Sequence, residues 1–182
     1  LHDVRKLARR LLESESHIHV LVNNAGVLLN ERTMTAEGNE TSLATNLLAP
    51  FLLTQLLIPR LKASAPARII NVSSGGMYTS GLALDDLQYE NGTYRGSMAY
   101  ARAKRALVTL TEMWAEELAP YGVVVNAMHP GWADTPGVAT SLRAFHLVTK
   151  PLLRDADEGA DTITWLAAAP EAGDVTGGFW LD

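Results

Sequence analysis

The chain has 182 residues, 47% of them apolar and 19% charged, which is enough for one domain with a sizeable core. Its net charge of −5, with 15 basic residues gathered into no run or stripe, argues against sequence-independent binding to nucleic acid. The absence of cysteine excludes disulfides, thiolate nucleophiles and zinc–thiolate sites; nothing marks an oxidising compartment, and the cytoplasm is the expected location.

In chain order, Val4, Leu7, Ala8, Leu11 and Leu12 recur at helical spacing opposite Arg5, Lys6, Arg9 and Arg10, so residues 3 to 14 are predicted to form an amphipathic helix. His2, Asp3, Arg5 and Lys6 break any hydrophobic leader at the start. Ile18, Val20, Leu21 and Val22 read as a parallel strand buried on both faces, ending in Asn23-Asn24-Ala25-Gly26. Ligand-binding turns of a parallel sheet sit at such strand ends. Residues 36 to 61 are apolar and helical, with a kink expected at Pro50. The longest apolar stretch, Leu47 to Pro59, is broken by Thr54 and Gln55 and falls short of the roughly 20 residues of a membrane-spanning helix.

Residues 68 to 73 form a second expected strand, stopped by Ser74-Gly75-Gly76, and 75 to 96 a long polar loop carrying Tyr78, Tyr89 and Tyr94. A helix over Ser97 to Ala119 is closed by Pro120 to Gly122. A third strand, Val123 to Met128, runs into His129-Pro130-Gly131-Trp132. Helices over 138 to 148 and Glu158 to Ala168, then a strand over Gly178 to Leu181, complete the chain. Strands alternating with long helices predict a single α/β unit over residues 1 to 182, a doubly wound parallel sheet with right-handed crossovers. Its first strand has a central-type composition yet comes when the chain has only just begun, which leaves an edge to be covered.

Tyr100 and Lys104 lie four apart on a helix and share a face. A free tyrosine has a pKa near 10, and an adjacent ammonium favours the phenolate, which would fit Tyr100 to exchange a proton with a substrate oxygen while hydride moves at carbon. The alternative is a packed tyrosine ring beside a surface lysine. Ser74, at a strand end, is placed to hydrogen-bond a substrate carbonyl, whereas Ser73 points the other way and is expected to satisfy a local turn amide. Asn46, among apolar helical residues, either holds a water and a helix bend or faces solvent. His129 to Trp132 make a rigid turn whose backbone amides could meet a carboxamide or phosphate, with His129 read as a turn residue rather than a base. His17 and His19 are expected at the surface, and no metal site is expected.

In this order and spacing the segments resemble the short-chain dehydrogenase/reductase family over essentially the whole chain. The loop between Ser74 and Tyr100 and the stretch from His129 to Gly137 are most similar to its retinol-dehydrogenase-like branch. The resemblance implies a Rossmann-like fold and an oxidoreductase that interconverts an alcohol and a carbonyl with NADP(H) or NAD(H), the preference open. It implies a catalytic tetrad of Asn46, Ser74, Tyr100 and Lys104, with tyrosine as acid/base, serine orienting the substrate oxygen, lysine also binding the nicotinamide ribose and asparagine supporting a relay water. Asn23, Ala25 and Gly26 would lie beside the adenosine half of the cofactor, and Pro130, Gly131, Trp132 and Thr135 beside the nicotinamide and pyrophosphate. Trp132, Leu142, Phe145 and Leu147 fall in the region that covers the crevice, which implies an apolar substrate. The helices at 36 to 61 and 97 to 119 would form a four-helix interface in a homodimer or homotetramer. The family's first strand and glycine-rich turn would lie before residue 1, so the expectation is a fragment whose N-terminal strands are missing. Two alternatives stand beside the enzyme: a non-catalytic nucleotide-sensing or scaffold protein of the same fold, and a truncated product inactive alone.

Overall fold

In a computed structural model, which describes residues 1–131 and 154–182, four strands form one parallel sheet. Their order is β1 (Val20–Asn23), β2 (Ala67–Val72), β3 (Val123–His129) and β4 (Phe179–Leu181). The helix expected over 138 to 148, and Trp132, Thr135, Leu142, Phe145 and Leu147, lie outside the described residues. Because the strands are parallel and in register, with Asn23 opposite Asn71 and Asn71 opposite Ala127, their C-terminal ends finish along one edge of the sheet.

Helix α1 (His2–Ser14) lays Ala8, Leu11 and Leu12 against the core and leaves Arg5, Lys6, Arg9 and Arg10 in solvent. The second helix, α2 (Thr41–Ala63), begins later than the expected residue 36. Gly38 takes φ +76°, Met34 bridges to Glu40, and the Glu40 carboxylate then caps the amides of Ser42 and Leu43. The irregularity expected at Pro50 falls one turn earlier, where Ala44–Leu48 is π-helical and the Ala49 N–H reaches back to the Ala44 carbonyl. Pro50 itself sits in the first turn of the α-helical segment that follows, where its missing N–H is tolerated. At 23 residues, α2 is long and apolar enough to cross a membrane, contrary to the reading of the interrupted stretch Leu47 to Pro59. In the fold it is a core helix, with Leu57, Ile58 and Leu61 buried against α1 and the sheet.

After β2, Gly75–Thr79 form a 3-10 turn, followed by a loop less polar than expected: Met77 and Tyr89 are buried, while Leu82, Leu84 and Leu87 are exposed. Helices α3 (Gly96–Leu118) and α4 (Ala156–Ala168) follow. The latter starts two residues before Glu158 because Asp155 and Glu158 close a reciprocal capping box.

Alternation along the strands splits the core. Leu21, Ile69, Val123 and Val125 face α1, α2 and α3, whereas Ile70, Val72 and Met128 face Leu166 and Ile163 of α4. Each fully buried leucine, such as Leu57 or Leu61, contributes about 2 kcal/mol by removing its side chain from water. Helices thus cover both faces, as a doubly wound sheet requires. Three helices already fill the first face, and the apolar stripe of α4 covers the other. β1 is not buried on both faces: Val20 and Val22 point away from α1 and α2 and remain 39% and 37% exposed.

Candidate active site

The site lies at the C-terminal ends of β1, β2 and β3, where the first two and a half turns of α3 approach them. Lys104 is carried inward until it is 2% exposed, and its Nζ donates to the Val72 carbonyl at 2.7 Å, anchoring the side chain on the tip of β2. Ser73, buried just past the end of that strand, donates to the Lys104 carbonyl at 3.0 Å. It satisfies a helix carbonyl rather than the expected turn amide, and so pins the turn of α3 that carries the lysine. Ser74 points the other way; its Oγ accepts the Gly76 N–H at 3.1 Å, and its hydroxyl lies near enough to the Tyr100 phenol to favour the phenolate. Since the Gly76 contact uses a lone pair, the serine proton remains for a partner oxygen.

Asn46 is fully buried in the π-helical turn, which removes the solvent-facing alternative. Its Oδ1 accepts the Val27 N–H at 3.0 Å, and its Nδ2 donates to the Val27 and Ser42 carbonyls at 2.8 and 2.9 Å. The amide thus staples the chain leaving β1 to α2. The stapled segment passes close above both side chains: a Cβ on Gly26 would stand 3.0 Å from Asn46 Oδ1 and 3.4 Å from Lys104 Nζ. Only glycine leaves that approach free. Gly26, Asn46 and Lys104 therefore meet, as do Ser74 and Tyr100, and the Lys104 ammonium lies 5.7 Å from the centre of the Tyr100 ring.

Burial governs the charges here. It lowers the Lys104 pKa to about 8, because the interior disfavours the ammonium. It also raises the Tyr100 pKa above its ordinary value, the Ser74 hydrogen bond opposing the rise. The expected lowering of the phenol by its lysine is not met in the chain alone: burial raises it, and Ser74 is what opposes the rise.

Asn23 does not turn its side chain toward the crevice. Its Nδ2 donates to Asn71 Oδ1 at 2.8 Å and lies 3.1 Å from Thr54 Oγ1, while Asn71 donates to Thr111 Oγ1 at 2.9 Å. This buried chain crosses from α2 through β1 and β2 to α3 beneath the site. Asn71, Thr54 and Thr111 escaped the sequence reading, although an Asn inside the apolar run Ile69-Ile70-Asn71-Val72 was the available signal. Ala25 and Gly26 are exposed, with their backbone open to a ligand.

Pro130 and Gly131 leave β3 beside the Ser74 turn, Gly131 at φ +70°. A Cβ there would meet the Arg154 side chain at 3.2 Å, and Arg154 is ion-paired to Asp182. The His129 ring packs on Gly75, where a Cβ would come within 3.1 Å of it. Burial lowers the His129 pKa, with Asp182 acting against it. His17 and His19 are exposed and stacked at 5.7 Å; among the described residues no cluster of three or more metal-ligating side chains occurs.

A parallel α/β sheet covered by helices on both faces, with polar side chains gathered at its C-terminal edge, defines a Rossmann-like class of fold. A family model described as enoyl-(acyl carrier protein) reductase matches residues 1–179. Dehydrogenase/reductase SDR family member 12 of Bos taurus is 46% identical over 160 residues, 88% of this chain and 50% of that protein. Human retinol dehydrogenase 13 is 36% identical over 188 residues, 99% of this chain and 57% of that protein. Among solved structures, a protein of Beutenbergia cavernae proposed to be an NAD(P)-dependent gluconate 5-dehydrogenase, with NADP bound at low occupancy, superposes with TM-score 0.76 at 27% identity. The alignment covers 100% of this chain and 70% of that one. The chain belongs to the short-chain dehydrogenase/reductase family, and it spans about half the length of the curated relatives it matches.

Proposed function

We propose that the protein interconverts an apolar alcohol and its carbonyl compound by hydride transfer with NADP(H) or NAD(H), with Tyr100 as the acid/base and residues 1 to 182 forming one cofactor-binding domain. The observation that carries this reading is the buried Lys104, its ammonium 5.7 Å from the centre of the Tyr100 ring, with Ser74 acting on the phenol. The retinol dehydrogenases among its relatives support an apolar alcohol, and the NADP in the Beutenbergia cavernae structure supports a nicotinamide cofactor.

The residues fit the nicotinamide-ribose side of such a cofactor. Lys104 spends one of its three protons on Val72 and has two for ribose hydroxyls, beside a Gly26 backbone that no side chain shields. When bound, the cofactor supplies or accepts the hydride, and its oxidised ring adds positive charge that favours the phenolate. In the reducing direction Ser74 donates to the carbonyl oxygen while Tyr100, protonated at neutral pH, delivers its proton to that oxygen. In the oxidising direction the phenolate takes the proton back. Both Asn46 Nδ2 protons are spent on carbonyls, so a relay water would sit on the Asn46 main-chain carbonyl, which receives no α-helical bond from Pro50 four residues on.

Phe51, Leu56 and Met113 lie exposed on α2 and α3, and Phe51 stacks on Trp114 at 6.0 Å. This strip supports self-association through these two helices as a homodimer or homotetramer. Cytoplasmic location is proposed on the cysteine-free composition. The test is coenzyme consumption by the protein over its full natural length, given long-chain and aromatic aldehydes with NADH or NADPH. Oxidation of one coenzyme is expected, and none with either across the panel would overturn the reading.

A further inference from the structure

We propose that Glu40 is a positioning residue that holds two candidate catalytic side chains, Asn46 and Tyr100, in place from a single buried carboxylate. The proposal rests on the oxidoreductase reading above and extends its machinery to a group that touches none of the reacting atoms. Glu40 is 1% exposed, unlike an ordinary helix cap, which keeps its charge in solvent.

One arm runs through the main chain. Oε1 accepts the Ser42 N–H at 2.8 Å and Oε2 the Leu43 N–H at 2.7 Å, fixing the start of α2. The Ser42 carbonyl in turn receives Asn46 Nδ2, and Asn46 grips Val27 from both sides. A shift at Glu40 therefore moves the backbone of Val27, next to Gly26.

The other arm reaches the segment that delivers α3. Tyr94 Oη donates to Glu40 Oε1 at 3.0 Å, and the Glu40 N–H donates to Gln88 Oε1 at 2.7 Å. The Arg32 guanidinium holds the Gln88 carbonyl at 3.2 Å. Two residues beyond Tyr94, Gly96 is wedged so tightly that a Cβ would overlap the Leu29 carbonyl. The N-terminus of α3, one turn before Tyr100, is thus fixed between the chain leaving β1 and the Glu40 carboxylate. A helix cap alone needs neither the tyrosine nor the burial.

The two arms separate by mutation. Glu40→Gln replaces one acceptor oxygen with a donor facing a backbone N–H; Tyr94→Phe removes the tyrosine's bond to Glu40 and the 3.3 Å contact of the same hydroxyl with Ser42 Oγ, and leaves the Ser42 and Leu43 amides capped. In the protein over its full natural length, Glu40→Gln is expected to lower kcat about tenfold or more, with the coenzyme KM within about twofold of the parent. Tyr94→Phe is expected to lower kcat less, and the double variant no further than Glu40→Gln alone, because Tyr94 acts through that carboxylate. By hydrogen exchange, the Val27 amide is expected to open faster in Glu40→Gln and to stay unchanged in Tyr94→Phe. Parental kcat in both folded variants, or additive losses, would overturn the proposal. If Glu40→Gln does not fold, parental kcat in Tyr94→Phe overturns it alone. Tyr100→Phe separates the two levels: if it turns over normally the enzymatic reading fails, and if it is inactive while Glu40→Gln and Tyr94→Phe keep parental kcat, only the role of Glu40 fails.

Discussion

Lys104 shows what a sequence holds and what it omits about a single residue. Its position four after Tyr100 was legible, because helical spacing puts both on one face. Its burial was not, and burial decides the protonation of both groups. A lysine whose folded pKa is about 8 against an unfolded value near 10.5 makes the unfolded chain bind more protons between those values. Stability should therefore rise from pH 8 toward 9.5, by at most about 2 kcal/mol at 1.4 kcal/mol per unit. Tyr100 does not oppose this until the pH exceeds 10, above which its raised pKa removes stability. Urea denaturation at pH 7 and 9.5 checks the rise, and Lys104→Met should abolish it. Gly26 carries a second expectation: Gly26→Ala must push against Asn46 and Lys104, so turnover should fall about tenfold or more while stability drops by about 1 kcal/mol. Steady-state kinetics and a thermal melt of the same preparation separate the two effects. Asn23 and Asn46 show the same limit in reverse, since residue type marks a polar group without saying which way it faces.

Among the elements, strands and helices were legible from apolar periodicity and their punctuation. The start of α2 was displaced by Gly38 and by the Glu40 cap, and the start of α4 by its capping box, both local devices that periodicity does not contain. The π-helical turn was signalled only indirectly, through Pro50. The chain from Thr54 through Asn23 and Asn71 to Thr111 is the least legible feature, because it requires the register of β1 with β2. Asn71→Ala would remove one of the two buried partners of the Asn23 amide, leaving only Thr54, and would break the link to Thr111. It should cost about 2 to 3 kcal/mol in equilibrium unfolding, whereas Thr111→Val, at the end of the chain, should cost less.

At the scale of the whole molecule, the expectation of an uncovered edge is met among the described residues. β1 pairs on one side only, with β2, and shows Val20 and Val22 on its open face. The chain of 182 residues should self-associate as concentration rises, and Val22→Lys should suppress this, as light scattering would read. The alternation of strand and helix made the architecture legible. The placement of α4 opposite α2 and α3 was not, since it depends on which sheet face the earlier helices leave bare. The central claim is chemical and concerns one oxygen atom. The most direct measurement compares turnover by Tyr100→Phe with that of the parent, in the protein over its full natural length, with nicotinamide coenzyme binding followed by fluorescence in both. Loss of turnover by a factor of about a thousand or more with coenzyme still bound is the result predicted; turnover near that of the parent would contradict it.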